Sequence, residues 1–286
     1  MRCCVDAYIG SKWFSHLNGP AIRVSQLRLW GEMLWTPTPT LQANRFQFEV
    51  SHETCVGPAG REFLMGGVAM AVAIDALERW SEKPLLWATI QFLHAGALDD
   101  QIDIFADRVG GGRSVVQAAA TLQSGETPLQ TMSAALGARS AEPPEQFINM
   151  PTVPDPADCP TKEDDALGQD DNLIDQFERR TALEDPDRGI ELMWIKPVVP
   201  IEMSSSLLAL TSDFLLGAHE RSRGGTSLDN TLRICALQPT EWILSATQIT
   251  HFGGGAAHGT QRQFAQDGKL LSISSQTGLL PRSAHP

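Results

Sequence analysis

The sequence predicts an α+β protein made of two tandem repeats, each an antiparallel sheet wrapped around a long central helix. Three observations support this fold class: one order of elements occurs twice, two turns recur at a fixed offset, and both helical segments are apolar on nearly every face. A helix without a polar face must be buried on most sides, and a curled sheet can bury it. This arrangement is the double hotdog. The alternative, an α+β sandwich with the helix on one face only, requires a clearer polar stripe on the helices.

The elements follow each other in the same order in both repeats. A strand with period-2 alternation comes first, then the apolar helix, then four strand-like runs bounded by turn residues. In the first repeat these elements are residues 44–56, 66–80, 85–94, 101–109, 113–123 and 128–137. In the second repeat they are residues 191–199, 204–222, 227–237, 241–252, 256–266 and 269–280.

The repeats also share two turns. The offsets 253 − 110 and 266 − 123 are both 143 residues, which indicates an internal duplication. The matching turns are Gly110-Gly111-Gly112 with Gly253-Gly254-Gly255, and Gln123-Ser124-Gly125 with Gln266-Asp267-Gly268.

An acidic, proline-rich stretch separates the repeats. Residues 141–188 hold fourteen acidic and four basic residues, a local charge of −10 out of −12 for the chain. This composition is typical of a solvated linker. We therefore predict an N-terminal extension (residues 1–39), a first hotdog domain (40–139), a linker (140–190) and a second hotdog domain (191–286). The folded body is then nearly neutral, which is compatible with an anionic ligand.

Composition excludes several classes of protein. The chain has 286 residues, of which 42% are hydrophobic, enough for a real core. No apolar run reaches the length of a membrane-spanning helix, and no basic stripe points to nucleic acid. Five cysteines without a C-x-x-C pair argue against a disulfide framework or a zinc site and for the cytoplasm. We expect no metal and no cofactor, and we expect residues 1–32 to be loosely attached.

Two ordered sets of segments in the chain are similar to those of one known enzyme family. In the first repeat they are FLMGGVAMAVAIDAL, PLLWATIQFLHAG and VGGGRSVVQAAATLQSG. In the second repeat they are SLLALTSDFLL, SLDNTLRI, EWILSATQITHFGGGAAHG and FAQDGKLLSISSQTGLLPR. These segments resemble the first and second halves of the acyl-CoA thioesterase II (TesB-like) enzymes. The resemblance covers roughly residues 40–139 and 191–283. It implies a double hotdog thioesterase that hydrolyses acyl-CoA or an acyl-carrier thioester to the free acid, and it is compatible with a homo-oligomer formed through the hotdog sheets.

The resemblance also implies a catalytic set. In that family an Asp on the central helix, a Thr or Ser on the next strand and a Gln on the last strand orient the attacking water. The matching positions are Asp213, Ser227 and Gln276. Ser227 stands where some members have Thr, which keeps the hydroxyl group and removes only a methyl group.

The residues themselves support this assignment. An unpaired carboxylate is costly to bury, and Asp213 interrupts an apolar helix. Ser227 and Gln276 lie on strands that would wrap this helix, so their side chains can supply the missing hydrogen bonds. Burial would also raise the pKa of Asp213, which suits a general base near neutral pH.

When the two repeats are compared, only the second one carries all three polar groups of the catalytic set. Ser227 corresponds to about Leu85 and Gln276 to Ser133, whereas Asp213 corresponds to Ala71 or Asp75, depending on the helix register. Asp75 is therefore the rival carboxylate.

Two other functions remain open: a non-hydrolytic acyl-thioester-binding protein and a hotdog dehydratase. A dehydratase needs a histidine beside the acid, and neither helix carries one in its apolar core. In all three cases the acyl chain would lie between helix and sheet, where Ala69, Ala71 and Ala73 leave room.

Overall fold

The computed structural model describes residues 33–138, 145–162 and 172–281. The predicted loose attachment of residues 1–32 concerns a segment outside the described residues. Within the described part, most helix and strand segments of the sequence analysis are found close to their predicted positions. The predicted strand over residues 44–56 is wrong as one element, since it is divided into a strand (Arg45–Glu49), a 3-10 helix (His52–Thr54) and a short strand (Cys55–Val56).

The first repeat is built around one long helix. Helix α1 spans Gly66–Ser81 and is buried from Gly67 to Leu77, because its apolar residues occupy nearly every face. Its strands are β1 (Thr38–Pro39), β2 (Arg45–Glu49), β3 (Cys55–Val56), β4 (Phe63–Leu64), β5 (Leu85–Phe92), β6 (Gln101–Gly111), β7 (Val115–Ser124) and β8 (Thr127–Gly137).

The second repeat has a shorter helix. Helix α2 spans Ser205–Ser212 and continues as a 3-10 helix over Asp213–Ala218. The predicted long central helix in each repeat is therefore not confirmed, since α1 has 16 residues and α2 has 8. The strands are β9 (Phe177–Asp185), β10 (Ile190–Pro197), β11 (Thr226–Ile234), β12 (Ile243–Gly253), β13 (Ala256–Ala265) and β14 (Leu270–Leu279). No helix in the described part of the chain is long and apolar enough to span a membrane.

Both repeats contribute to one antiparallel sheet of twelve strands. Its order is β1-β2-β6-β7-β8-β5 followed by β11-β14-β13-β12-β10-β9, so the second repeat runs through the order of the first in reverse. Strands β5 and β11 pair at the junction, with Thr89 opposite Thr231. The hydroxyl groups of these two residues are hydrogen-bonded, and they lie 142 positions apart. Equivalent residues that face each other mark a pseudo-two-fold axis between the repeats.

The acidic segment is not solvated over its whole length. Strand β9 falls inside the predicted linker and pairs with β10. Upstream, Met150 and Val153 pack against a buried cluster on the outer face of the second repeat's sheet. Trp194 of that cluster donates its indole N–H to the carbonyl oxygen of Pro154 at 3.0 Å. Apolar residues spaced irregularly between prolines give no periodic signal, which is why sequence analysis missed this packing. The division into domains stays a prediction.

The inner faces of the two halves of the sheet differ in polarity. In the first repeat this face carries buried apolar side chains, among them Ile102, Ile104, Ala118, Ala120, Leu122, Met132 and Ala134. In the second repeat the corresponding strands carry buried polar side chains, among them Ser245, Thr247, Gln261, Gln263, Ser272, Ser274 and Gln276. One of these, Gln263, donates to the hydroxyl oxygen of Thr211 on α2 at 2.6 Å.

Candidate active site

Asp213 lies where α2 ends and the 3-10 helix begins. Sequence analysis placed it in the middle of a continuous helix, and the structure corrects this. The hydroxyl groups of Thr211 and Ser212 donate back to carbonyl oxygens of the preceding turn, at 2.9 and 2.7 Å. Such contacts compete with regular helix geometry and often bend the backbone.

The structure brings Asp213, Ser227 and Gln276 together. Oδ1 of Asp213 accepts a hydrogen bond from Nε2 of Gln276 at 2.5 Å and another from the Ser227 hydroxyl at 3.4 Å. The same Nε2 of Gln276 is 2.8 Å from the hydroxyl oxygen of Ser227. A register shift between β11 and β14 lies between Ser227 and Asp229. Shifts of this kind re-aim side chains and are frequent beside active sites.

A fourth group comes from the first repeat. The backbone N–H of Gly67, in the first turn of α1, donates to Oδ2 of Asp213 at 2.7 Å. Sequence analysis missed this partner. The signal for it in the sequence was the Gly-Gly pair at the start of α1. In the structure, a Cβ on Gly67 would lie 2.5 Å from the carbonyl oxygen of Leu210 and 2.8 Å from Cβ of Asp213. Only glycine allows the two helices to approach so closely.

Burial and hydrogen bonding act in opposite directions on Asp213. Its carboxylate is buried, and burial raises the pKa of Asp213 to about 6. The donors Gly67, Gln276 and Ser227 limit the rise because each stabilises the charged form. At neutral pH the carboxylate is mostly ionised and yet more basic than an exposed aspartate.

Asp213 and Ser227 line a cavity of about 410 Å³. One side of the cavity is formed by residues before and at the start of α1, including Pro58, Phe63, Met65 and Gly66. The other side is formed by strands β9 and β10 and the 3-10 helix, including Arg179, Glu191, Met193 and Phe214. The two repeats thus share the wall that surrounds the carboxylate.

The rival carboxylate lies elsewhere. Asp75 forms an ion pair with Arg79 one turn along α1, at 2.5 Å, and is not among the described residues that line the cavity. Ala69, Ala71 and Ala73 are also absent from the described residues that line the cavity, and they are fully buried in the core. The room that these alanines were predicted to leave for an acyl chain is filled by packing.

The pseudo-two-fold axis corrects the predicted correspondence between repeats. Thr89 pairs with Ser133 and Thr231 pairs with Ser275, so the counterpart of Gln276 is Ala134. The strand pairings do not extend to the helices, so the counterpart of Asp213 stays predicted as Ala71 or Asp75.

Glu78 of α1 forms a contact between the two helices of the same kind as that of Asp213. Oε1 of Glu78 accepts from the hydroxyl of Ser205 at the start of α2, at 3.0 Å, as Asp213 accepts from the start of α1. It also accepts from the backbone N–H of Leu85, the counterpart of Ser227, at 2.7 Å. The first repeat therefore has a half-buried carboxylate at this contact but apolar Leu85 and Ala134 where the second has Ser227 and Gln276.

Comparison with known proteins identifies related domains along most of the chain. Residues 57–137 match the model of the acyl-CoA thioesterase N-terminal domain, and residues 156–280 match that of the C-terminal domain. The second match begins inside the predicted linker, in agreement with the strand found there. No curated protein matches the chain.

Solved structures share the fold over nearly their full length. A candidate thioesterase from Novosphingobium aromaticivorans DSM 12444 is 27% identical with a TM-score of 0.81, and the alignment covers 86% of this chain and 98% of that one. A protein of unknown function with a hot dog fold from Alicyclobacillus acidocaldarius is 20% identical, with a TM-score of 0.76 and coverage of 88% and 97%. The acyl-CoA thioesterase II TesB2 from Mycobacterium marinum is 19% identical, with a TM-score of 0.71 and coverage of 88% and 98%. By its two domain matches and this shared fold, the chain belongs to the acyl-CoA thioesterase family.

Proposed function

We propose that this protein hydrolyses acyl-CoA thioesters to the free acid and CoA, with Asp213 activating the attacking water. The observation that carries the proposal is a buried carboxylate in a cavity wall, held by donors from both repeats. Oδ1 of Asp213 accepts two hydrogen bonds and Oδ2 accepts one. A carboxylate has about four acceptor positions, so Oδ2 retains one for a water molecule.

The pKa of about 6 suits this role. A general base works best when its pKa is near the operating pH. Asp213 takes one proton from water as the water oxygen bonds to the thioester carbonyl carbon. The tetrahedral intermediate then collapses, the carbon–sulfur bond breaks, and the proton passes from Asp213 to the departing sulfur. The carboxylate is ionised again at the end of the cycle.

Ser227 and Gln276 act as positioning residues. Their mutual hydrogen bond fixes both side chains against Oδ1 of Asp213. The amide oxygen Oε1 of Gln276 has no hydrogen-bond partner among the described residues, so it is available to accept a hydrogen bond from the second O–H of the attacking water. An acceptor placed there orients the water oxygen toward the carbonyl carbon.

The start of α1 is suited to hold the negative charge of the intermediate. Gly66 lines the cavity at the first position of a 16-residue helix. Backbone N–H groups at such a position lack partners within the helix and carry the positive end of its dipole. The amide of Gly66 is thus our candidate oxyanion donor, beside the Gly67 amide that holds Asp213.

The same contacts support a single working site in the two repeats. The first repeat has Leu85 and Ala134 at the positions of the hydroxyl and amide groups, so it lacks the polar pair that would orient a water molecule. We also propose a cytoplasmic location, because Cys55, Cys159 and Cys235 are all free thiols, as expected in a reducing compartment. Oligomerisation through the sheets stays a prediction.

The dehydratase alternative lacks a suitable base. His94 is the histidine among the described residues that line the cavity, and its Nδ1 lies 2.8 Å from the carbonyl oxygen of Pro128. It is also exposed, on a segment that follows β5. These features favour a structural role for His94.

The decisive experiment measures CoA release from a panel of acyl-CoAs by trapping the free thiol. Release by the wild type and its loss in Asp213→Asn support hydrolysis by this site. Tight binding of acyl-CoA without any release identifies a binding protein instead. Asp75→Asn is the matched control, since it removes a buried carboxylate of the same helical layer outside the cavity.

A further inference from the structure

A row of buried polar side chains crosses the inner face of the second repeat's sheet. It passes through directly paired positions on four neighbouring strands, and its last member lies two residues further along β14 on the same face. The members, which we call the polar row, are Glu191 on β10, Thr247 on β12, Gln261 on β13, and Ser274 and Gln276 on β14. Each of them is at most 3% exposed. The polar row therefore runs through the interior from β10 to the carboxylate of Asp213, which Gln276 holds.

Several hydrogen-bonding atoms along the polar row have no partner in the described part of the chain. They are Oε1 of Gln261, Oγ of Ser274 and Oε1 of Gln276, together with Oδ1 of Asn230, which is paired with Gln276 across β11 and β14. A buried polar atom without a partner costs about 1–3 kcal/mol, and proteins rarely leave several of them side by side. The equivalent face of the first repeat is apolar, so the fold itself does not require these atoms. A hydrogen-bonding occupant accounts for them.

Water molecules match the spacing of these atoms. Directly paired side chains lie about 5 Å apart at their Cβ atoms, and side chains two residues apart on one strand lie about 7 Å apart. A water molecule between such neighbours bonds to two or three of the unpartnered atoms, which is the number that a stable buried water needs. An alkyl group in the same place would leave every one of them unsatisfied.

The other end of the polar row leads to solvent. The carboxylate of Glu191 contacts Nζ of Lys162, which also lies 2.7 Å from Oε1 of Glu184. Lys162 and Glu184 line an open polar pocket at the surface, and the side chain of Glu184 is half exposed. The polar row thus ends on charged groups that water solvates, and no closed apolar wall separates it from the surface pocket.

A bound acyl chain closes the other route to Asp213. The mouth of the cavity is apolar and exposed at Pro58, Phe63 and Leu93. A long acyl chain in the cavity expels its water, yet each turnover consumes one water molecule. Glu191 is the member of the polar row that lines the cavity, whereas the other four are not among the described lining residues. Water bound along those four therefore stays in place when the acyl chain binds.

We propose that the polar row binds a chain of water molecules, which delivers the hydrolytic water to Asp213 while an acyl chain occupies the cavity. The inference rests on the proposed thioesterase function. Oε1 of Gln276 has two lone pairs, one for the attacking water and one for the next water in the chain. Gln261 and Ser274 are positioning residues, since they hold water and do not line the cavity.

Acyl-chain length tests the delivery of water. Gln261→Met and Ser274→Ala each remove polar atoms of the row while changing side-chain volume little. With decanoyl-CoA, whose long chain displaces water from the cavity, we expect kcat to fall about 10-fold, which corresponds to about 1.4 kcal/mol for a lost bridging water. With butanoyl-CoA, which leaves room for water from the mouth, kcat should change by less than about twofold. Thr260→Val is the matched control, because Thr260 precedes Gln261 on β13 and is exposed on the outer face.

A loss of kcat that is equal for both substrates would overturn the inference, because a merely structural defect acts at every chain length. High-resolution crystallography of the wild type decides on the water sites themselves. We expect ordered water within about 3 Å of Oγ of Ser274 and of Oε1 of Gln261 and Gln276. Side chains that rotate to bond one another and exclude water would contradict the proposal, whether or not the variants fold. A wild type that hydrolyses no thioester refutes the proposed function and with it the delivery, whereas the water sites remain measurable in the crystal.

Discussion

The backbone N–H of Gly67 donates to the carboxylate of Asp213 at 2.7 Å, across 146 residues of sequence. The acid of the second repeat is therefore held by the helix of the first. This contact couples the position of the carboxylate to the packing of α1 against α2, and four predictions follow from it and its neighbours.

Gly67→Ala should lower both activity and stability. The new methyl group would lie 2.5 Å from the carbonyl oxygen of Leu210, which is backbone and cannot swing aside. The helices would have to separate, at a cost of about 1–3 kcal/mol, as for other overpacked cores. We expect kcat to fall because Asp213 loses its alignment. The measurement is made on a variant that a thermal melt of a separate sample shows to be folded. Gly112→Ala is the control, since a Cβ there meets nothing within 4 Å.

Asp213→Asn should abolish most turnover. Loss of a general base typically lowers the rate by about 10²–10⁴-fold. The substitution is not neutral for hydrogen bonding, because the amide group cannot accept at all the positions where Gly67, Gln276 and Ser227 donate. Steady-state kcat of Asp213→Asn and of the control Asp75→Asn decides the matter. A collapse in Asp75→Asn alone would move the site to the first repeat.

The pH dependence of activity and stability should have opposite signs. Activity needs the ionised carboxylate, so kcat should rise through a pH near 6, the pKa of buried Asp213. This pKa is raised from 3.8, so the folded state binds the proton more tightly than the unfolded state does. The stability contributed by Asp213 is full below about 4 and is lost as the pH rises through 6. Because one pKa unit corresponds to about 1.36 kcal/mol, the unfolding free energy lost over this pH range is about 3 kcal/mol.

Urea unfolding of wild type and Asp213→Asn at pH 5 and pH 8 tests the stability half of this prediction. The unfolding free energy of Asp213→Asn should increase relative to that of the wild type between pH 5 and pH 8. An unchanged difference in unfolding free energy would show that the carboxylate is not desolvated as the structure indicates.

Ser227→Ala and Gln276→Ala should each reduce kcat less than Asp213→Asn does. They orient the water and do not receive its proton. In combination with Asp213→Asn they should add little, because groups that act on one water molecule behave as a unit. A double-mutant cycle on kcat/KM measures this, and full additivity would argue that the three residues work independently.

The sequence predicted most of the strands and the three site residues because local signals were strong there. Period-2 alternation marked β5 to β8, and glycine turns such as the one at Gly111, with φ of +98°, marked the hairpins. The resemblance carried Asp213, Ser227 and Gln276 to positions that the structure brings into hydrogen-bond contact.

What the sequence did not predict depends on contacts between distant segments. The end of α2 at Ser212 results from side chains that bond back to the helix, which no periodicity reports. The partnership of Gly67 with Asp213 and that of Glu78 with Ser205 exist only after the two helices meet. The strand at Phe177–Asp185 was hidden because its charged residues resemble those of a solvated linker.

The pairing of Thr89 with Thr231 on the pseudo-two-fold axis has an evolutionary consequence. In a dimer of identical chains, every substitution would alter both copies of a site at once, so neither copy could be abandoned without losing the other. Joining the copies in one chain removes this constraint. The position of Gln276 could keep its amide while its counterpart changed to Ala134. Glu78 could take a structural role, as the acceptor of a hydrogen bond between the helices. A single gene thus allows the two halves of a symmetrical ancestor to divide their labour.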